Sequence, residues 1–228
     1  MSAERVSVKE KVLSANDRLA AQNRERLAGQ GVFSVNLISS PGSGKTTLLE
    51  HTVDLLKGTL RLALVAGDVQ TRNDAERLMR HGVPVEAIET EGGCHLDARQ
   101  VARSLEAFDV TETDLLIIEN VGNLVCPSSF DLGESMKVVL MSVTEGEDKP
   151  LKYPAAFRRA RALVLTKVDL VPHLRFSVGE ALDNAHSINP DLEVFSTSSF
   201  TGEGVNVWAG WLADRVATAK ESAERAGS

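Results

Sequence analysis

With 228 residues, 43% hydrophobic and 25% charged, the chain suits one self-supporting domain with short additions. A formal charge of −7 and a pI near 5.3 argue against a general nucleic-acid or anionic-membrane surface. No apolar run reaches membrane-spanning length and residues 1–30 hold no signal-peptide core, so a cytoplasmic protein is expected, its two cysteines free or metal-binding rather than bridged.

In chain order, Val12, Leu13, Leu19, Ala20 and Leu27 give residues 9–28 a loose helical pattern, stopped by Gly29 and Gly31. Residues 1–30 are therefore a helical extension, packed on the domain or partly mobile. Apolar runs follow at Val32–Ile38, Leu60–Ala66, Val83–Ile88, Leu115–Ile118, Val138–Val143, Ala162–Leu165 and Leu192–Phe195. Helices are expected from Leu48, over Asp74–His81, Asp97–Phe108, Val178–Ile188 and Val207–Ala219. Near-continuous apolar strands alternating with helices specify an α/β fold, a mostly parallel central sheet with helices on both faces. Right-handed crossovers set the loops after the strands along one edge, where nucleotides bind. Residues 31–219 form this domain, and the polar tail 220–228 is expected to fray.

Ser39-Ser40-Pro41-Gly42-Ser43-Gly44-Lys45-Thr46-Thr47 lies between the first strand and a helix, the context of a P-loop. Successive backbone N–H groups of Gly42 to Thr47 converge on phosphates, and the helix N-terminus adds a favourable dipole. Lys45 neutralises the β- and γ-phosphates and the Thr46 hydroxyl ligates Mg²⁺. The general pattern has Gly where this chain has Ser39. The run Leu115–Ile118 ends in Glu119, a Walker B acid facing Mg²⁺ directly or through water. Asp68 closes another strand and either orients the attacking water, stands behind Mg²⁺ or is an ordinary loop carboxylate. The three-layer domain is thus a P-loop NTPase, with Lys45, Asp68 and Glu119 as candidate catalytic groups and Thr46, Asp68 and Glu119 around Mg²⁺.

Base choice is written in Thr166-Lys167-Val168-Asp169. A carboxylate at Asp169 accepts from guanine N1–H and its 2-amino group, a donor pair that adenine lacks. Lys167 lies along the base, and Thr166 replaces the usual Asn. Ser198, Ser199 and Phe200 follow the last strand, where a backbone N–H recognises guanine O6. GTP is therefore favoured over ATP.

Cys94-His95 and Cys126-Pro127 fall on loops near this edge. Burial as inert thiols is the default for two cysteines. Here an imidazole adjoins Cys94, and a helix beginning just after it favours the thiolate. Thiolate plus imidazole suits Ni²⁺ or Zn²⁺ rather than Mg²⁺. Three side chains leave a four-coordinate site open, to be completed by water, a second copy or a partner's ligand. His51, His81, His173 and His186 have no ligand-like spacing.

SSPGSGKTTLLE, AGDVQTRNDAERL, EGGCHLDARQV, ENVGNLVCPSSFDLGE, TEGEDKPLKYP, TKVDL and TGEG together resemble the hydrogenase nickel-incorporation GTPases, the HypB family, in order from Asn16 to Ala213. The resemblance implies a slow GTPase of the signal-recognition-particle/MinD-type class that helps place nickel in [NiFe]-hydrogenase. It implies a homodimer favoured by GTP, with Cys94, His95 and Cys126 of both subunits forming a metal site and Leu170 and Leu174 at the interface. The implied partners are a small zinc-containing nickel chaperone and, directly or indirectly, the hydrogenase large subunit. Some members carry an N-terminal cysteine motif or histidine-rich tract; neither is present, so nickel storage is not expected. Two alternatives are a urease-type nickel GTPase and a passive nickel- or zinc-binding module with nucleotide as a structural ligand.

Overall fold

The computed structural model describes residues 3–68, 73–90 and 92–226, with side chains from Leu13 onward except those of Asp68, Glu224 and Ala226. Helix α1 (Ala3–Gly29) leads into β1 (Phe33–Ser39), and α2 (Lys45–Leu56) follows the intervening glycine loop. Next come β2 (Leu62–Asp68), α3 (Asn73–Met79), β3 (Val85–Glu89), α4 (Ala98–Ser104) and β4 (Leu115–Gly122). The second half holds α5 (Cys126–Ser129), β5 (Met136–Ser142), α6 (Lys149–Lys152), α7 (Pro154–Arg159), β6 (Ala160–Thr166), α8 (Val178–Ile188), β7 (Glu193–Ser196) and α9 (Val205–Ala226).

The strands form one seven-stranded sheet in the order β3-β2-β4-β1-β5-β6-β7, with every pairing parallel. Both faces are covered. Leu49 and Val53 of α2 and Trp208 and Leu212 of α9 pack on one face of the sheet, against Leu37, Leu64 and Ile117. On the other, Leu27 of α1 and Val101 of α4 cover β2 and β4, while Phe157 of α7 and Ala181 of α8 cover β5 and β6. Each such leucine, valine, isoleucine or phenylalanine withdrawn from water contributes roughly 1.5–3 kcal/mol, which is why central strands read as mostly apolar runs. The chain turns from α2 towards β2 on one side of β1, and from β4 towards β5 on the other. A crevice at the carboxyl ends follows from that reversal.

From Asn16 onward, helix α1 packs on the domain. Ala20 and Leu27 are buried, and the Asn23 amide donates to Ala98 O and Leu132 O at 2.8 and 2.9 Å. Asn16 donates to Asp131 O and accepts from Ala98 N. At the other end, α9 continues through Ala226, so the segment expected to be a polar tail is helical to that residue, and residues 227–228 of it lie outside the described part. Alanine, glutamate, lysine and arginine there are good helix formers, and Lys220 Nζ reaches Asp114 Oδ1 at 2.7 Å. No helix among the described residues is long and apolar enough to cross a membrane.

Candidate nucleotide and metal site

Between β1 and α2 the backbone turns at Gly42 (φ 74°) and Gly44 (φ 89°), left-handed conformations that a Cβ disfavours. Ser39 stays in β1 with no positive φ, so glycine is not required where the general pattern places it. Gly44 caps α2 without any side-chain hydrogen bond to the helix start, leaving its first N–H groups facing the crevice. The crevice has a volume of about 510 Å³ and is lined by the glycine loop, Lys45, Thr46, Glu119 and Lys167.

Glu119 ends the apolar part of β4 and is buried. Its Oε1 accepts from Thr46 Oγ1 at 2.7 Å and lies 3.6 Å from Lys45 Nζ. Among the described residues, Glu119 Oε2 and Ser43 Oγ have no hydrogen-bond partner. Burial pushes the Glu119 carboxyl above its ordinary value, against the opposing pull of Lys45 and Thr46. A buried, half-satisfied carboxylate beside a threonine hydroxyl is the oxygen-donor set that a hard divalent cation fits. Asp68 is the last residue of β2. Its carboxylate and residues 69–72 lie outside the described part, so its expected part at the site stays an expectation.

A second cleft of about 390 Å³ shares Gly44, Thr47 and Lys167 with the first and adds Asp169, Leu170, Ser199 and Phe200. Lys167 has φ 59°, alone in the left-handed region among described non-glycine residues, and its Nζ donates to Gly42 O at 2.8 Å. Thr166 Oγ1 donates to Ser43 O at 2.6 Å. Ser198 is buried and its hydroxyl donates to Asp169 Oδ1 at 2.5 Å, while Phe200 is 91% exposed. The predicted base-reading residues thus converge on one cleft. Leu170 half-buries against the core and lines it, whereas Leu174 stands on the surface.

Arg77 has no signal in the sequence. It lines the phosphate crevice, donates to Thr47 Oγ1 at 3.0 Å, and is held by Glu50 at 2.5 and 3.0 Å. These partners lie 27 and 30 positions away, beyond any local pattern.

The metal candidates meet as well. One ligand atom each from Cys94, His95 and Cys126 lie within 4.8 Å of one another. Cys94 Sγ is 3.5 Å from His95 Nδ1, and the imidazole rests on Phe130 with ring centroids 3.9 Å apart. Burial lowers the His95 pKa, favouring the neutral ring that ligates. Asn123, just past β4, donates to Cys94 O at 3.3 Å and ties the two loops together. The helix after Cys94 differs from expectation. It spans only Ala98–Ser104, and Asp97 caps it in a reciprocal box with Gln100. The carboxylate, not the Cys94 thiolate, therefore occupies the helix start. Cys126 opens the one-turn α5.

A parallel sheet, a glycine cradle at a helix start and a buried acid on the neighbouring strand define a P-loop nucleotide-binding protein. The CobW/HypB/UreG nucleotide-binding domain matches residues 34–196. Hydrogenase maturation factor HypB of Azotobacter vinelandii is 51% identical over 205 residues, spanning 90% of this chain and 68% of that protein. The crystal structure of HypB from Helicobacter pylori in complex with nickel has a TM-score of 0.85 at 38% identity, covering 90% of this chain and 96% of that one. The signal recognition particle receptor FtsY of Elizabethkingia anophelis, 17% identical with a TM-score of 0.54 over 76% of this chain and 64% of that one, shares the fold alone. The chain belongs to the HypB family of hydrogenase maturation factors, within the CobW/HypB/UreG nucleotide-binding proteins.

Proposed function

We propose that this chain is a slow GTPase that couples GTP-dependent homodimerisation to nickel delivery during [NiFe]-hydrogenase maturation. The observation that carries this reading is the path of the chain. Strand β4 sets Glu119 beside the P-loop, and Asn123 and Cys126 follow within a few residues at the thiolate–imidazole cluster. The relatives' names supply the biological setting, and the nickel-bound HypB from Helicobacter pylori supports the choice of metal.

Lys45 and the N–H groups of Gly42 to Thr47 bind the β- and γ-phosphates, while Asp169, Lys167 and the Ser198–Phe200 loop orient guanine. Mg²⁺ held by Thr46 and Glu119, with Asp68 nearby, would supply charge neutralisation on the phosphates. A γ-phosphate-dependent shift of the segment from Glu119 through Gly122 moves the Cys126 loop and alters the fit of the cargo ion. Nickel is the substrate of this transfer, and Zn²⁺ competes for the same donors. A second copy of the chain, docking through Leu170 and Leu174, completes the open coordination position. A small zinc-containing nickel chaperone and the hydrogenase large subunit stand before and after this step.

The test measures GTP turnover and Ni²⁺ affinity together. Lys45→Ala should abolish turnover, and Cys126→Ala should weaken Ni²⁺ binding and remove its dependence on GTP. GTP turnover unchanged in Lys45→Ala, or Ni²⁺ binding and its GTP dependence unchanged in Cys126→Ala, sinks the reading.

A further inference from the structure

The loop bearing Cys94 and His95 is held by a buried polar ring whose side chains lie outside both clefts and the metal cluster. Asn120 and Asn36 are fully buried. Asn120 Oδ1 accepts from Leu96 N at 3.1 Å and from Val121 N at 3.0 Å. Two backbone donors at that oxygen fix the amide's orientation, so its Nδ2 faces Asn36 Oδ1 at 3.2 Å. Asn36 Nδ2 in turn donates to Glu134 Oε1 at 3.3 Å. Glu134 also accepts from Lys137 Nζ and from Leu132 N. Asn23 of α1 bonds Leu132 O and Ala98 O, returning to the residues just past His95.

Asn120 is the junction of this ring. Its backbone directly follows Glu119, whose carboxylate faces Thr46 and Lys45, and its side chain holds the N–H that follows His95. Leu96 is also pressed on β2: a Cβ at Gly67 would come within 2.8 Å of its side chain. The His95 loop therefore rests on both β2 and β4, the strand that carries Glu119, and a displacement of β4 would reach it through the Asn120–Leu96 bond. A ring whose members are each satisfied has discrete arrangements rather than a continuous range, since a half-broken bond leaves a buried polar group unpaired.

We infer that Asn120 is the positioning residue that transmits the state of the nucleotide site to the His95 loop, a second route beside the Gly122–Cys126 segment. The inference rests on the proposed coupling of GTP to metal affinity and names the side chain through which that coupling runs. Asn120 binds neither ligand itself.

The experiment titrates Ni²⁺ into the full chain bound to GDP and to a non-hydrolysable GTP analogue, for wild type, Asn120→Ala and Asn189→Ala. Asn189 is a control: its amide bonds Phe157 O and Ala160 O, remote from both sites. Wild type should show at least a roughly fivefold difference in Ni²⁺ affinity between the two states. Asn120→Ala should bring that ratio within about twofold, whereas Asn189→Ala should lose stability and keep the ratio. Should Asn120→Ala fail to fold, Asn36→Ala takes its place; it spares the Leu96 bond but takes the acceptor from Asn120 Nδ2 and opens the ring towards Glu134, and a diminished ratio is expected. A wild-type ratio that persists in Asn120→Ala, or in Asn36→Ala when that variant is used, overturns this inference and leaves the proposed function standing. A wild-type ratio of one overturns both.

Discussion

Thr166 donates its hydroxyl proton to the Ser43 carbonyl at 2.6 Å, so the base-reading motif grips the phosphate loop at the position where an asparagine is usual. Lys167 repeats the grip one residue later, on Gly42 O. The substitution of threonine is thereby reconciled with the motif's structural duty, because a short hydroxyl reaches the same loop. Thr166→Val keeps the shape and removes the bond. GTP and GDP should both bind about fivefold more weakly, the equivalent of one net hydrogen bond of about 1 kcal/mol. Equilibrium titration with a fluorescent guanine nucleotide reads this, and unaltered affinity would make the tether dispensable.

Asp169, steadied by Ser198, should decide the base. Asp169→Asn replaces one acceptor with a donor, which repels the guanine 2-amino group and suits the carbonyl that xanthine carries there. GTP affinity should fall about 10- to 100-fold, from the ~1.5–3 kcal/mol of hydrogen bonds to a charged group. Xanthosine triphosphate should gain relative to GTP. Equal losses for both nucleotides would mean that Asp169 serves the fold and not the base.

Glu119 is a stability liability in the free chain, since burial raises its pKa. The folded form prefers the proton, so the penalty grows as pH rises above the unfolded carboxylate value of about 4.3. At pH 7–8, Glu119→Gln should melt no lower than wild type without nucleotide, yet gain much less from GTP with Mg²⁺. Thermal scans with and without GTP test both halves. A variant stabilised by GTP as strongly as wild type would remove Glu119 from the site.

Asp114 sits at the opposite edge of the sheet and behaves conversely. It accepts from Arg61 N at 2.9 Å and from Arg61 Nη2 and Lys220 Nζ at 2.7 Å, and the Arg61 guanidinium foremost holds its carboxyl far below the usual range. Its contribution is present above the unfolded pKa of about 3.9 and is lost as pH falls towards the folded value. Asp114→Asn should therefore be less stable than wild type at pH 7, with the gap narrowing below about pH 4 in urea unfolding series. A gap independent of pH would point to shape rather than charge.

Parallel strands buried on both faces leave contiguous apolar runs, so each strand was legible in the sequence though its ends were not: the run read as Leu115–Ile118 continues to Gly122, past the polar Glu119 and Asn120. The motifs were legible because phosphate and guanine chemistry demand fixed spacing. Helix ends were less so: Asp97 stops the metal loop with a cap that reads equally well as a helix start or a turn. The carboxyl-terminal segment from Lys220 looked like a polar tail because its partner, Asp114, is 106 positions away. The same distance problem hid Arg77 in the phosphate crevice and the Asn36–Asn120–Glu134 chain, whose links span 84 and 98 positions. Asparagines inside apolar strands were the available hint, since a fully buried amide requires partners.

The most direct measurement is a Ni²⁺ titration of the nucleotide-free, GDP-bound and GTP-analogue-bound wild-type chain, with molecular mass followed by light scattering in the same samples. A shift to dimer in the GTP-analogue form, accompanied by a change in Ni²⁺ affinity, is the predicted result. Identical affinity and identical mass in all three states would contradict it, leaving a nucleotide-binding protein whose thiolate–imidazole cluster is not governed by GTP.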